Sequence, residues 1–275
     1  MNRRGISASC RDVWFRYDAE NVLRGIHCTV VKGEFLGIIG PNGSGKTTFL
    51  KIMTGEALPA RGEILVDGTP IAAMSRRQIA QKVAVVPQSQ ELAFRFTVLE
   101  LVMMGRSPHL GLLQFERRRD MEIVQWAMRM TNIEHLADRD LGELSGGERQ
   151  RIFIARALAQ DTAMILMDEG TAFLDIKHQV EIMDLMRQLN HDPGMTVVVV
   201  TQDINLASAY CDRIVMFNAG RIHTIGTPER VINNTDIEEV YGLPVLVDTH
   251  PETGRPRLTL RKKPLHPANS CSSSR

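Results

Sequence analysis

The sequence predicts an α/β fold that is built on a mainly parallel β-sheet. Two runs that are almost entirely apolar, residues 163–167 and 196–200, are separated by a segment of helical periodicity, residues 177–189. Strands without polar alternation that are joined through helices are typical of a parallel sheet covered on both faces. A third apolar run, residues 35–39, ends in a glycine-rich turn and a helix-like segment, which adds another strand–helix unit.

Length and composition favour a globular protein and exclude several classes. The 275 residues can form one large domain or two small ones around a buried core. A formal net charge of +1 gives no support to a nucleic-acid-binding surface. The longest apolar runs are far too short to cross a bilayer, and the N-terminal residues lack the apolar core of a signal peptide. We therefore expect any role at a membrane to be exercised through a partner.

Cysteine and histidine spacing predicts neither a disulfide framework nor a metal centre. The four cysteines, at positions 10, 28, 211 and 271, lie far apart and form no C-x-x-C pair. This distribution is typical of reduced thiols in a cytosolic protein. The eight histidines are scattered without the spacing of metal ligands.

The remaining segments are assigned in order along the chain. Runs of β-type composition come first, the pattern is mainly helical from residue 98 to residue 159, and a hairpin with glycine at its turn follows the apolar strands. A charged cluster at residues 116–120 is assigned to a solvated helix face. A short helix and two small strands then lead to residue 260, and residues 263–275 are predicted to be disordered. The β-type runs are residues 10–17, 22–31, 62–68 and 82–87, and the hairpin covers residues 214–222.

The glycine-rich turn after residue 39 matches the phosphate-binding pattern G-x-x-x-x-G-K-[ST] in its strand–turn–helix setting. Glycines let consecutive backbone N–H groups point inward, and the following helix adds the positive end of its dipole. Lys46 supplies a charge for the β- and γ-phosphates, and the Thr47 hydroxyl can ligate Mg²⁺. A glycine turn without function is the alternative, and chance alone gives this pattern in about one chain of this length in a hundred. The turn, here called the phosphate loop, comprises Gly40, Pro41, Asn42, Gly43, Ser44, Gly45, Lys46, Thr47 and Thr48.

Two further segments carry chemistry. The apolar run 163–167 ends in Asp168 and Glu169, at the edge of the sheet where parallel strands bind ligands. There Asp168 can hold Mg²⁺ and Glu169 can accept a proton from an attacking water. The segment 144–151 begins a helix in which Ser145 and Glu148 fit a capping box. The capping box does not explain Gly146 and Gly147, which cost helix stability of about 1 kcal/mol each and favour close approach of a phosphate to the backbone.

These three segments, in this order and spacing, resemble the nucleotide-binding subunit of ABC transporters, and the resemblance covers roughly residues 8 to 260. It implies a P-loop ATPase core with an N-terminal antiparallel β subdomain and an inserted α-helical subdomain at roughly residues 95–160, within one domain that spans residues 1–262. It further implies that Ser145, Gly146 and Gly147 bind the γ-phosphate held by the phosphate loop of a second copy. Two chains would then close head to tail around two ATP molecules with Mg²⁺.

The resemblance also implies roles for residues outside these segments. Tyr17 corresponds to the aromatic residue that stacks on adenine, although an ordinary half-buried strand tyrosine is the structural alternative. Gln88 corresponds to the glutamine that contacts Mg²⁺ and the attacking water, and Asp175 to the aspartate that crosses the dimer interface. The expected metal-binding residues are Thr47, Gln88 and Asp168, and the expected catalytic residues are Lys46, Gln88, Glu169 and Gln202.

Residues 94–109 and 251–256 resemble the iron-siderophore, haem and cobalamin uptake branch of this family. The resemblance implies an ATPase at the cytoplasmic face of the cell membrane that powers import through separate permease subunits, served indirectly by a solute-binding protein, without nucleic acid. The residues do not specify the solute. The direction of transport, import rather than export, is inferred from the resemblance alone. Two alternatives stay open, a slow or regulatory ATP-binding subunit and a soluble ABC-type ATPase not tied to transport.

The sequence departs from the family pattern at two positions. Gly170 stands where proline usually follows the acidic pair. The loss of proline gives the unfolded chain more freedom and loosens this turn, an effect of about 0.4–1 kcal/mol on stability. Gln202 stands where the family has a histidine that donates a hydrogen bond to the γ-phosphate. Its amide can still donate but cannot carry a charge. We therefore expect slower hydrolysis with ATP-driven closure preserved.

Overall fold

The computed structural model of the chain describes residues 5–88, 95–111, 117–169, 175–192 and 194–261. Gly170 and the predicted tail at residues 263–275 lie outside these ranges. The described strands are β1 (Ile6–Tyr17), β2 (Glu20–Val31), β3 (Phe35–Ile39), β4 (Arg61–Val66), β5 (Thr69–Pro70), β6 (Val83–Val86), β7 (Met164–Asp168), β8 (Thr196–Val200), β9 (Arg213–Asn218), β10 (Arg221–Gly226), β11 (Val245–Thr249) and β12 (Pro256–Leu260). The described α-helices are α1 (Lys46–Met53), α2 (Arg76–Ala80), α3 (Val98–Met103), α4 (Arg118–Met130), α5 (Gly146–Ala159), α6 (Ile176–His191), α7 (Ile204–Tyr210), α8 (Pro228–Val231) and α9 (Asn234–Tyr241).

The central sheet has six strands in the order β10-β9-β3-β8-β7-β6. All its pairs are parallel except β9 with β10, which form a hairpin. Every residue of β3 and β8 is buried, because helices and a second sheet cover both faces. The prediction of a mainly parallel sheet is confirmed. The carboxyl ends of β3, β7 and β8 lie side by side and carry the segments that the sequence singled out.

The N-terminal strands form a separate antiparallel sheet in the order β2-β1-β4-β5. Its inner side chains pack with α1 against one face of the central sheet. In the register of β1 and β2, Cys10 lies opposite Cys28, and both are buried free thiols, as is Cys211. Burial raises the pKa of the Cys28 thiol to about 12. The antiparallel β subdomain is therefore present as predicted.

Helices α3, α4 and α5 pack on one another and on the other face of the central sheet, as expected for the inserted helical part. The prediction of a solvated face for the charged cluster is wrong for one member. Asp120 is buried and accepts a hydrogen bond of 2.8 Å from Nε of Arg106, which also donates from Nη1 to the carbonyl of Ala159. A buried carboxylate of this kind requires a partner from elsewhere in the chain, and charge clustering alone does not reveal one.

The C-terminal part contains two short helices, α8 and α9, where the sequence predicted one, followed by the predicted pair of strands. β11 and β12 form an antiparallel hairpin that packs on α7. Among the described residues, none of the helices combines the length and the apolar composition needed to cross a membrane.

Candidate functional site

The phosphate loop connects the buried strand β3 to α1 at the carboxyl edge of the central sheet. Three of its glycines have positive φ, at 146° for Gly40, 76° for Gly43 and 103° for Gly45. A side chain at Gly40 would collide with the carbonyl oxygen of Phe217, and one at Gly45 would lie 2.8 Å from Leu23. Two of these glycines are thus required by close packing as well as by backbone conformation.

Lys46 and Ser44 lie inside this loop. The buried Lys46 ammonium donates hydrogen bonds to the carbonyls of Gly40, at 2.8 Å, and Pro41, at 2.9 Å. Burial lowers the pKa of Lys46, while the nearby Glu169 and Asp168 carboxylates raise it. The hydroxyl of Ser44 is buried without a hydrogen-bond partner among the described residues. A positive charge, a spare donor and a curled backbone together fit a polyphosphate.

Thr47 and Asp168 bring two oxygen ligands together. The Thr47 hydroxyl, in the first turn of α1, donates to Oδ1 of Asp168 at the end of β7, over 3.4 Å. Burial raises the pKa of Asp168, and the adjacent Glu169 raises it further. A cation would offset that cost, and a hydroxyl beside a carboxylate is the hard oxygen set that Mg²⁺ prefers. The residues present therefore fit the expected cation.

Glu169 is the residue on which two further predicted side chains converge. Its Oε2 accepts hydrogen bonds from the amides of Gln88, at 3.0 Å, and Gln202, at 2.8 Å. Its backbone has a positive φ of 45°, and its N–H is bonded to the carbonyl of Val200 on the neighbouring strand. Strained backbone at an acidic residue marks a position that the surrounding structure over-determines. The Glu169 carboxylate is thus held by residues that follow the two strands flanking β7.

Tyr17 ends β1 and stands apart from these residues. Tyr17 is 49% exposed, and its ring lies nearly perpendicular to that of Phe15, with the ring centroids 4.9 Å apart. An exposed aromatic ring is what base stacking requires, and a half-buried strand tyrosine would show the same exposure.

Ser145, Gly146 and Gly147 begin α5, where the predicted capping box is present. The Ser145 N–H donates to the Glu148 carboxylate over 2.8 Å, and the Glu148 N–H donates to the Ser145 hydroxyl over 3.4 Å. Gly147 is buried against His178 of α6. Asp175 caps α6 by accepting a hydrogen bond of 2.9 Å from the His178 N–H.

The structure thus groups the predicted residues into two clusters. Hydrogen bonds and charge interactions link Lys46, Thr47, Gln88, Asp168, Glu169 and Gln202 beside the phosphate loop. Gly147, in the first turn of α5, and Asp175 both contact His178. Sequence reasoning missed His178, because its signal is a histidine three residues after a helix cap, which is common in solvated helices.

Sequence reasoning also missed the position of the C-terminal hairpin beside Gln202. The Asn205 side chain, on the first turn of α7, makes two hydrogen bonds with the backbone of Leu258 in β12, at 2.8 and 3.2 Å. A cavity of about 710 Å³ lies between the hairpin and the residues around Glu169, and its lining includes Glu169, Gln202 and Leu260. The hairpin therefore forms one wall next to the carboxylate.

Comparison with known protein families agrees with the resemblance seen in the sequence. Residues 23–172 match the model of the family described as ABC transporter. The chain is 42% identical over 248 residues to the hemin import ATP-binding protein of Pseudomonas putida, covering 88% of this chain and 95% of that protein. It is 38% identical to the petrobactin import ATP-binding protein of Bacillus anthracis, covering 86% of this chain and 87% of that protein. It is 39% identical to the cobalamin import ATP-binding protein of Halobacterium salinarum (strain ATCC 29341 / DSM 671 / R1), covering 86% of this chain and 59% of that protein.

Solved structures with the same fold include two ABC proteins. An ABC transporter described as of the metal-chelate type, in an inward-facing conformation, superposes with a TM-score of 0.82 at 28% identity, covering 93% of this chain and 97% of that one. A dimeric bacterial ABC transporter cassette superposes with a TM-score of 0.70 at 32% identity, covering 80% of this chain and 98% of that one.

Proposed function

This chain belongs to the ABC transporter family, and we propose that it is the ATP-hydrolysing subunit that energises import of an iron-siderophore, haem or cobalamin-type solute through a separate membrane permease. The observation that carries the ATPase part is the convergence of Lys46, Asp168 and Glu169 at one edge of the sheet. The solute class is supported by the import proteins that share about 40% of its residues over most of the chain.

The phosphate loop binds the nucleotide in this proposal. Lys46 leaves the carbonyls of Gly40 and Pro41 and turns its charge to the β- and γ-phosphates, while the loop N–H groups and the N-terminus of α1 hold the phosphate oxygens. Thr47, Asp168 and Gln88 would hold Mg²⁺, which when bound neutralises charge on the phosphates. Tyr17 stacks on the base.

Glu169 accepts the proton of the attacking water, and the two glutamines orient it. Gln88 and Gln202 both donate to Oε2, so in this proposal Oε1 is the oxygen that faces the water. Gln202 is also the residue that would donate a hydrogen bond to the γ-phosphate, where charge changes during the reaction. Neither amide can become cationic, so the two glutamines act on the carboxylate through hydrogen bonds alone.

The second cluster completes the site of another chain. Gly147 and Asp175 both contact His178, so the Ser145-Gly146-Gly147 helix start lies beside Asp175, which supports a head-to-tail dimer of two copies. A dimeric cassette with the same fold supports the same arrangement. ATP binding closes the dimer, and this movement is transmitted to the permease at the cytoplasmic face of the membrane. Hydrolysis then reopens the dimer. A solute-binding protein would act on the permease, without nucleic acid at any step.

A slower, regulatory subunit is the second candidate, and Gln202 is the observation that favours it. Transport by vesicles that contain the chain and its permease separates the two functions. With the solute-binding protein present, we expect ATP-dependent uptake of hemin, cobalamin or a ferric siderophore, and none with Lys46→Ala. Permease-stimulated ATP turnover without uptake of any of the three would contradict the proposed solute class. Absence of turnover above the Lys46→Ala level would favour the regulatory subunit.

A further inference from the structure

The second glycine of the Ser145-Gly146-Gly147 segment lies directly against the ring of His178. A Cβ atom at Gly147 would come 2.5 Å from Cδ2 and 3.0 Å from Nε2 of His178. Close-packed interiors do not tolerate approaches of this kind without movement. The imidazole therefore occupies the space that any residue larger than glycine would need, and the approach of a phosphate is not the only reason for glycine at this position.

The ring is held in this place by Asp175. Nδ1 of His178 lies 2.8 Å from Oδ1 of Asp175, and the same oxygen accepts the His178 backbone N–H at 2.9 Å. One carboxylate oxygen thus both caps α6 and fixes the imidazole. If the ring turned away from Gly147, it would give up its bond to Asp175.

A second contact joins the same two helices one turn further on. Arg151 of α5 donates to Glu181 of α6 over 2.8 Å, and both side chains are partly buried. Gly147 and Arg151 are four residues apart on α5, and His178 and Glu181 are three apart on α6, so the two pairs stack on adjacent turns. The beginnings of α5 and α6 are therefore docked side by side.

We propose that His178 is a positioning residue that locks the start of α5 to Asp175, so that the two elements this chain presents to its partner copy act as one preformed surface. The inference rests on the proposed head-to-tail dimer. Asp175 and the Ser145-Gly146-Gly147 segment come from separate parts of the chain, and the imidazole contacts both Asp175 and Gly147. Because a preformed surface is already ordered, dimer closure loses less conformational entropy.

The packing part is tested by a double-mutant cycle on thermal unfolding of the nucleotide-free chain. With His178 present, Gly147→Ala should lower Tm by about 2–10 °C, because overpacking strains the contact. In His178→Ala, the same substitution should be neutral or raise Tm, because alanine is the better helix former. An equal loss of Tm in both backgrounds would overturn the packing argument. His178→Gln is the alternative background if the alanine variant does not fold.

The positioning part is tested on dimer formation with ATP and Mg²⁺ in a Glu169→Gln background. His178→Ala should raise the dimer dissociation constant about tenfold, the factor for one ordinary hydrogen bond, while ATP binding to the monomer stays unchanged. His191→Ala is the matched control, since His191 lies on α6 and pairs with the exposed Asp192 far from α5. Dimerisation equal to that of the parent would overturn the proposal. Failure of the parent itself to dimerise would instead count against the proposed function, and the unfolding cycle would still report on the packing.

Discussion

Gln202 donates a hydrogen bond of 2.8 Å to the same Glu169 oxygen that accepts one of 3.0 Å from Gln88. The carboxylate at the end of β7 is thus held by two neutral amides that follow the flanking strands β6 and β8. Neither amide can take up a proton or carry a charge. The position after β8 therefore supplies orientation without the titratable group that the family resemblance leads one to expect there.

Gln202→His should raise ATP turnover. Histidine is a donor that can also become cationic. Because the Gln202 amide already donates, the gain in turnover should stay below the factor of about 10²–10³ that loss of a whole transition-state donor costs. The variant should also gain an additional pH dependence between about pH 5 and 8 from the new imidazole. Steady-state hydrolysis at saturating ATP measures both effects. Unchanged turnover at every pH would show that the neutral amide does not slow the reaction.

Glu169→Gln should abolish hydrolysis while ATP still closes two chains together. The amide cannot act as a base, but it keeps the size of the side chain and removes one negative charge next to the phosphates. Gel filtration with ATP and Mg²⁺ should show a dimer that wild type forms only transiently. Glu122→Gln, at an exposed carboxylate on α4, is the control and should behave as wild type. A variant that stays monomeric even with its permease present speaks against the two-site mechanism.

Tyr17→Ala should weaken ATP binding. Stacking of a base on an aromatic ring contributes about 1–3 kcal/mol, which corresponds to a factor of about 5–150 in the dissociation constant. Tyr17→Phe keeps the ring and should bind ATP as wild type does. Titration with a fluorescent ATP analogue compares the three proteins. Equal affinities for all three would show that the exposed ring serves the strand and not the base.

The buried ion pair of Arg106 and Asp120 should be costly to break. Arg106→Met leaves an uncompensated carboxylate and should lower the free energy of unfolding by about 3–5 kcal/mol. Arg106→Met combined with Asp120→Leu should regain most of this loss. Arg118→Met is the matched control, because it breaks the exposed pair with Glu122 on the same helix and should cost less than about 1 kcal/mol. Urea unfolding measures all four proteins.

The same pair predicts a dependence on acid. Burial by itself raises the pKa of Asp120, but the hydrogen bond from the Arg117 backbone and the Arg106 guanidinium outweigh it and hold the pKa below its usual value. The folded state therefore binds this proton less tightly than the unfolded state. The contribution to stability is full above the unfolded pKa of about 3.9 and disappears as pH falls through the lower folded value. The stability difference between wild type and the Met/Leu double variant should accordingly shrink below about pH 4, whereas a constant difference would exclude this linkage.

Local sequence patterns were sufficient for the parts of the site that lie on one segment. The phosphate loop, the capping box of Ser145 and the β9–β10 hairpin, whose turn residues Ala219 and Gly220 both have positive φ, were all evident from neighbouring residues. Their physical causes act over four or five residues.

Contacts between distant segments could not be predicted in the same way. Nothing next to Asp120 in the sequence shows that Arg106 reaches it, and nothing next to Gly147 points to His178. β12 docks on α7 through hydrogen bonds between Asn205 and Leu258, which are 53 residues apart in the sequence. Such contacts are decided by how the elements pack, and the local patterns of a single sequence do not show that packing. The hydrogen bonds from Gln88 and Gln202 to Glu169 belong to the same class, although resemblance to the family brought these three residues into view.

The buried thiols of the N-terminal sheet make this protein suitable for optical labelling. The thiolate is the form that reacts with maleimides, and the raised pKa of Cys28 leaves almost none of it at neutral pH. Cys10 and Cys211 are buried as well. Once Cys271 is replaced by serine, a single cysteine at the exposed position of Leu58 would therefore carry a fluorophore at one chosen place, and energy transfer between two labelled copies would follow dimer closure in real time.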